Sequence, residues 1–213
     1  DMKRGFFVLL PLLACLASGL DAQDAGGSPQ PPAANIAAAY LAQARQAYRE
    51  GRREQAAALL HRQGVTFSLT IAGAAAQHDA GYAARVRHLA RDLTASGIIQ
   101  FTGPVPNYET PHLYREHELF VNLSPPGLFD KAVLEAMACE TPVIASSSAF
   151  DAVIPADFRF TEDSPEALAA TLRAALALPR SSLQDYGSLL REYVMRQHSL
   201  EQLINALVLQ LGG

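Results

Sequence analysis

From Val65 onward, apolar positions alternate between short β-rich runs and helical repeats. Val65 to Ala72 reads as a strand closed by Gly73. Tyr82, Val86, Leu89 and Leu93 recur at i, i+4, i+7 and i+11, which predicts one amphipathic helix ended by Gly97. Ile98 to Phe101 is the next strand, closed by Gly103 and Pro104. Thr110 is expected to cap a short helix with Pro111 at its first position. Leu119 to Leu123 and Pro142 to Ala145 read as buried strands on either side of a helix over 129–139. On that helix Phe129, Val133, Ala136 and Met137 share one face, expected to pack on the sheet. Arg159 to Thr161 is a candidate edge strand, and helices are expected over 164–177, 181–196 and 199–211. Strands separated by helical stretches imply right-handed crossovers. The fold class is therefore α/β, a doubly wound parallel sheet preceded by a short helical hairpin.

The N-terminal part follows a different pattern. Lys3 and Arg4 precede an apolar run, Phe6 to Leu20, that is shorter than the roughly 20 residues of a membrane span. The segment 1–22 reads as an export signal with cleavage after Ala22. Leu12-Leu13-Ala14-Cys15 also fits a lipidation box, so membrane association through the N-terminus is a further expectation. A linker rich in Gly, Pro, Ala and Gln spans 23–34. Residues 35–62 read as a helical hairpin with Gly51 at its turn, similar to one tetratricopeptide unit. A single unit cannot bury its faces by stacking, so an ordinary hairpin packed on the next domain is the preferred reading. The α/β domain is expected over 63–213.

Composition adds limits. The 213 residues carry 49% apolar and 18% charged side chains, an ordinary globular balance. The net charge of −4 and the lack of a basic block give nucleic acid no electrostatic support. The two cysteines lie in unrelated segments, and neither they nor the histidines show metal-ligand spacing. No metal or cofactor is implied.

The candidate chemistry lies in Ser124 to Ser146, SPPGLFDKAVLEAMACETPVIAS. A Pro-Pro-Gly turn leads from a strand into a helix, so the helix N-terminus falls at the carboxyl edge of the sheet, where α/β proteins bind ligands. N–H groups near Leu128 to Lys131 suit a diphosphate, with Lys131 as a point charge. Glu135, one turn further, suits vicinal ribose hydroxyls. Lys131 and Glu135 also read as an ordinary exposed i, i+4 charge pair, and only their place in the fold favours function.

This stretch resembles the donor-binding signature of the glycosyltransferase group 1 family (family 4, GT-B fold). Glu135, Ala136, Met137, Ala138, Cys139, Pro142 and Val143 stand at the places of the family's second glutamate and the Ala-Met-Ala and Pro-Val that follow it. LTIAG (69–73), IQFTGPV (99–105) and LYREHELFVNLS (113–124) resemble upstream motifs in the same order, and the likeness covers about residues 56–213. The resemblance implies the donor-binding half of a retaining hexosyltransferase, with a nucleoside-diphosphate sugar as substrate and a glycan or lipid-linked acceptor. It assigns the ribose to Glu135, the sugar and diphosphate to Gly127, Leu128, Phe129 and Lys131, and the base to the loop of Gly103 and Val105. Gly127 stands where the family has its first glutamate, so Asp130 or Lys131 is the candidate for sugar contacts and catalysis. Glu140 replaces a helix-ending glycine, which implies strain of about 1 kcal/mol if its backbone is left-handed.

A separate acceptor domain and the donor domain's first strand and basic loop are not recognisable, so a truncated or fused chain is expected. The family implies a cytoplasmic or inner-membrane-associated protein, and the N-terminal segment implies an exported one. Two other readings stand beside the transferase: a non-catalytic nucleotide-sugar binder, and an exported interaction protein that docks through its helical pair.

Overall fold

The computed structural model describes residues 4–9, 52–73, 80–124, 127–161 and 164–211. Among the described residues five parallel strands form one sheet: β1 (Arg4–Leu9), β2 (Phe67–Ala72), β3 (Ile99–Gly103), β4 (Leu119–Asn122) and β5 (Val143–Ala145). Their order is β3-β2-β1-β4-β5. The chain winds outward in one direction through β2 and β3, then returns to the other side of β1 for β4 and β5. Ligands of open α/β sheets bind beside that reversal, at the carboxyl ends of the strands. Every residue of β4 and β5 is buried, as expected of strands covered on both faces.

The helices follow the windings. α1 (Arg52–Arg62) precedes β2 and packs on α6 (Pro165–Ala177). α2 (Ala80–Leu89) and α3 (Arg91–Ala95) join β2 to β3, and α4 (Thr110–Glu116) joins β3 to β4. α5 (Lys131–Ala138) joins β4 to β5 and packs on α7 (Arg180–Gln197), which α8 (Leu200–Leu211) follows. Among the described residues no helix is long and apolar enough to cross a membrane.

Several expectations change. Arg4–Leu9, inside the segment read as an export signal, is the middle strand, with Phe6 in register with both Leu69 and Leu119. Cleavage after Ala22 would remove it from the sheet. Arg4, read as signal charge, donates from Nη1 to the carbonyls of Leu176 (2.5 Å) and Leu178 (2.7 Å) at the end of α6. The α/β unit thus takes in residues on both sides of the expected boundary at 63. α1 packs on the α/β elements, as expected of a helix packed on the next domain, with Ala56, Ala57 and Leu60 fully buried. The rest of the signal-like segment, the linker and the first hairpin helix lie outside the described residues.

The helix expected over Tyr82 to Leu93 is two helices. Ala90, with ψ of −3°, separates them, and Ala90 is buried with Val86 and Leu93 while Leu89, at the edge of that face, is 48% exposed. Glu109 rather than Thr110 stands at the N-cap position of α4, with no side-chain cap bond, and Thr110 Oγ1 donates to the Asn107 carbonyl at 2.9 Å. The edge strand at Arg159 reduces to one bridge with Ala145.

Glu140, after α5, has φ of 61°, the left-handed conformation that favours glycine. The neighbouring helix comes very close. A Cβ on Gly187 of α7 would stand 2.0 Å from the Glu140 carbonyl oxygen. Arg191 of α7 donates to the Ala138 carbonyl at the end of α5 and lies 3.5 Å from the Glu140 carboxylate.

Two outcomes follow for stability. Glu140→Gly relieves about 1 kcal/mol of strain and loses an exposed ion pair worth about 0.5 kcal/mol or less, so urea denaturation should show a net gain. Gly187→Ala should cost about 1–3 kcal/mol through overpacking. A Gly187→Ala protein as stable as the parent would contradict this close approach.

Candidate functional site

Beyond Asn122 the chain turns through Ser124 and through Gly127, whose φ of 79° suits glycine alone. Asp130 then adopts an extended backbone as the N-cap of α5. Its Oδ1 accepts the Ala132 N–H at 3.0 Å. Its Oδ2 accepts the Asn122 side-chain amide at 2.8 Å and the Ser124 hydroxyl at 2.7 Å. Asn122 Oδ1 in turn accepts the Ser124 N–H at 3.1 Å. From the neighbouring strand, the Ser146 hydroxyl donates to the Ser124 carbonyl (3.0 Å) and the Ser147 hydroxyl to the Leu128 carbonyl (2.8 Å). The turn is therefore tied to the ends of both β4 and β5.

Asp130 serves as a structural carboxylate with three internal donors, a role the sequence reading did not give it. The cap also sets Phe129 outside the helix, so Phe129 does not join Val133, Ala136 and Met137 on the sheet-facing side. It is 47% exposed and stacks on Phe150, with centroids 5.0 Å apart and planes at 25°. His198, the C-cap of α7, lies 5.4 Å from the same ring. Gly127, Leu128 and Phe129 are thus presented at the carboxyl edge. Among the described residues, the N–H groups of Leu128, Phe129 and Lys131 meet no acceptor.

Lys131 opens α5, and its 80% exposed side chain places Nζ 3.1 Å from Glu135 Oε1. Such an exposed pair is worth only about 0.3–0.5 kcal/mol, so Lys131 is free to leave for a stronger anion. Glu135 is only 26% exposed, and its Oε2 accepts the Tyr114 hydroxyl at 3.3 Å. Tyr114 is fully buried. Burial above all, and the nearby Glu135 charge after it, push its phenol far above the usual range, so it remains a donor.

Gly127 to Lys131 and Glu135 thus come together. The loop of Gly103 and Val105 does not join them. It follows β3 at the far side of the sheet, three strand spacings or about 14 Å from β4, although on the same carboxyl edge. Only a ligand lying along that edge would touch both. His117 is structural: its ring nitrogens meet the Leu113 carbonyl and the Thr70 hydroxyl, both at 2.7 Å.

Sequence reading missed Asn122, Ser124, Ser146 and Ser147 as supports, and used Tyr114 only as part of a motif. One signal was present: Asp130, directly before the apolar repeat of α5, is a recognisable N-cap. A cleft of about 510 Å³ lies at the opposite, amino edge, lined in part by Arg115, Glu118, Cys139, Glu140 and Arg180. Two of its acids are already paired, Glu118 with Arg180 at 2.7 Å and Glu140 with Arg191 at 3.5 Å. The carboxyl edge, with open N–H donors and an accessible carboxylate, is the better candidate.

Comparison with known proteins bears on the fold and the family. The Rickettsia africae glycosyltransferase superposes with a TM-score of 0.66 at 16% identity, covering 98% of this chain and 47% of that one. The C-terminal domain of a Francisella tularensis glycosyl transferase group 1 protein, LpcC, gives 0.65 at 16% identity, covering 92% and 87%. Anabaena HepE in complex with UDP gives 0.62 at 17% identity, covering 68% and 40%. In sequence, D-inositol 3-phosphate glycosyltransferase of Frankia alni is 41% identical over 59 residues, 28% of this chain and 14% of its own. The chain thus spans less than half the length of the full transferases it matches. The model of the family "Glycosyl transferases group 1" matches residues 53–177, which include β2 to β5 and the whole Gly127–Glu135 turn and helix, and the chain belongs to that family.

Proposed function

We propose that the carboxyl edge of this sheet binds a nucleoside-diphosphate sugar as the donor half of a retaining hexosyltransferase. The observation that carries the reading is Glu135, an accessible carboxylate one turn from a glycine-led, hydrogen-bonded turn with open N–H donors. In this reading the N–H groups of Leu128, Phe129 and Lys131 take the diphosphate and sugar. Lys131 gives up Glu135 and moves to the phosphates, and Glu135 accepts the ribose hydroxyls. The loop of Gly103 and Val105 borders the base. The leaving diphosphate is stabilised electrostatically by the same ammonium and N–H groups. Asp130 acts by positioning rather than by touching sugar. The acceptor, a glycan or lipid-linked glycan, belongs to the other half of a GT-B enzyme. HepE, solved with UDP and with UDP-glucose, supports UDP as the first nucleotide to try.

Calorimetry on the full chain with UDP, GDP and ADP should give saturable binding of one of them. Glu135→Ala should weaken it at least about tenfold, as expected for charged hydrogen bonds. Binding indifferent to Glu135 would overturn the assignment. Asp130→Ala separates positioning from sugar contact. As a lost N-cap it should lower stability by about 1 kcal/mol and weaken the bare nucleotide too. Unchanged stability, with loss confined to the sugar-bearing ligand, would make Asp130 a sugar contact.

A further inference from the structure

Tyr114 and Glu135 come from different helices, α4 and α5, and meet beneath the exposed edge. The ring of Tyr114 is fully buried and packs edge-on against Phe120 of β4, with centroids 5.3 Å apart and planes at 79°. Its backbone carbonyl accepts the buried Thr141 hydroxyl at 2.8 Å. Ring and backbone are therefore both held, and the hydroxyl reaches Glu135 Oε2 at 3.3 Å. The opposite oxygen, Oε1, faces the exposed ammonium of Lys131 at 3.1 Å. One side of the carboxylate meets a rigid donor and the other an exchangeable one.

We propose that Tyr114 is a positioning residue for ribose recognition. By holding Oε2 from below, it orients Glu135 so that Oε1 accepts from a ribose hydroxyl once Lys131 has moved to the diphosphate. This rests on the donor-site reading above. A free glutamate has several rotamers and a broad final torsion, and ordering them on binding weakens the complex. The tyrosine orders them beforehand. A carboxylate has about four lone-pair positions, so one bond from Tyr114 leaves room for a diol. Tyr114→Phe removes only the oxygen and keeps the ring against Phe120.

The test compares UDP with 2′,3′-dideoxy-UDP by calorimetry on the full chain, in the parent, Tyr114→Phe and Glu135→Gln. The parent should prefer UDP by about tenfold or more. Tyr114→Phe should weaken UDP about three- to tenfold and leave the dideoxy nucleotide unchanged, so that the preference shrinks. Glu135→Gln should shrink it as well. If Tyr114→Phe weakens both nucleotides equally, or leaves the preference intact, the residue is only structural and the proposal falls. If the parent binds UDP without preferring it, or binds none of UDP, GDP and ADP, the ribose assignment of Glu135 fails first and takes this proposal with it; if it binds GDP or ADP instead, that nucleotide and its dideoxy form give the same comparison with the same outcomes.

Discussion

The Asp130 carboxylate joins the last residue of β4 to the first turn of α5. Its three donors are the Asn122 amide, the Ser124 hydroxyl and the Ala132 N–H. A β-strand and a helix that meet at a short turn have no common ladder, so their relative position rests on side chains. Here one acid supplies the link, and an N-cap of this kind is worth about 1 kcal/mol. The left-handed Gly127, the outward Phe129 and the placing of Lys131 and Glu135 one above the other all depend on where this cap starts the helix. The serines of the β5 end, Ser146 and Ser147, brace the same turn from the adjacent strand.

Rigidity on one side is matched by openness on the other. Buried Tyr114 below and exposed Lys131 above hold the two oxygens of Glu135. The amino edge of the sheet is different, because there α7 and the α5–β5 turn are locked by Gly187, Arg191 and paired acids. The same helix that bears open donors at its start is closed by contacts at its end. This asymmetry suits a domain that receives a ligand at the carboxyl edge and rests on its own scaffold at the other.

Much of this was legible in the sequence. β2 to β5 stand within a residue or two of the expected runs, because short β-rich apolar runs bounded by turn residues mark parallel strands, whether buried throughout like β4 and β5 or in part like β2 and β3. The strain at Glu140 was readable from its place after Ala-Met-Ala-Cys, where a helix ends. β1 was not legible as a strand, since a basic pair before an apolar run has the same pattern in an export signal. α1 packs on α6 through small buried residues that suit any helix contact, as expected of a helix packed on the next domain. Phe129 was misplaced because helical spacing extends past a cap unless the cap is recognised. The serine, asparagine and tyrosine supports lie on separate elements, and only the fold brings them to one turn.

Hydrogen exchange read by mass spectrometry, with and without saturating UDP, tests the central claim most directly. Slowed exchange is expected in peptides covering 127–136 and, more weakly, 103–107, with none around 115–118 or 139–142. No slowing at 127–136 when UDP is bound, or slowing centred on the amino edge, would contradict the account.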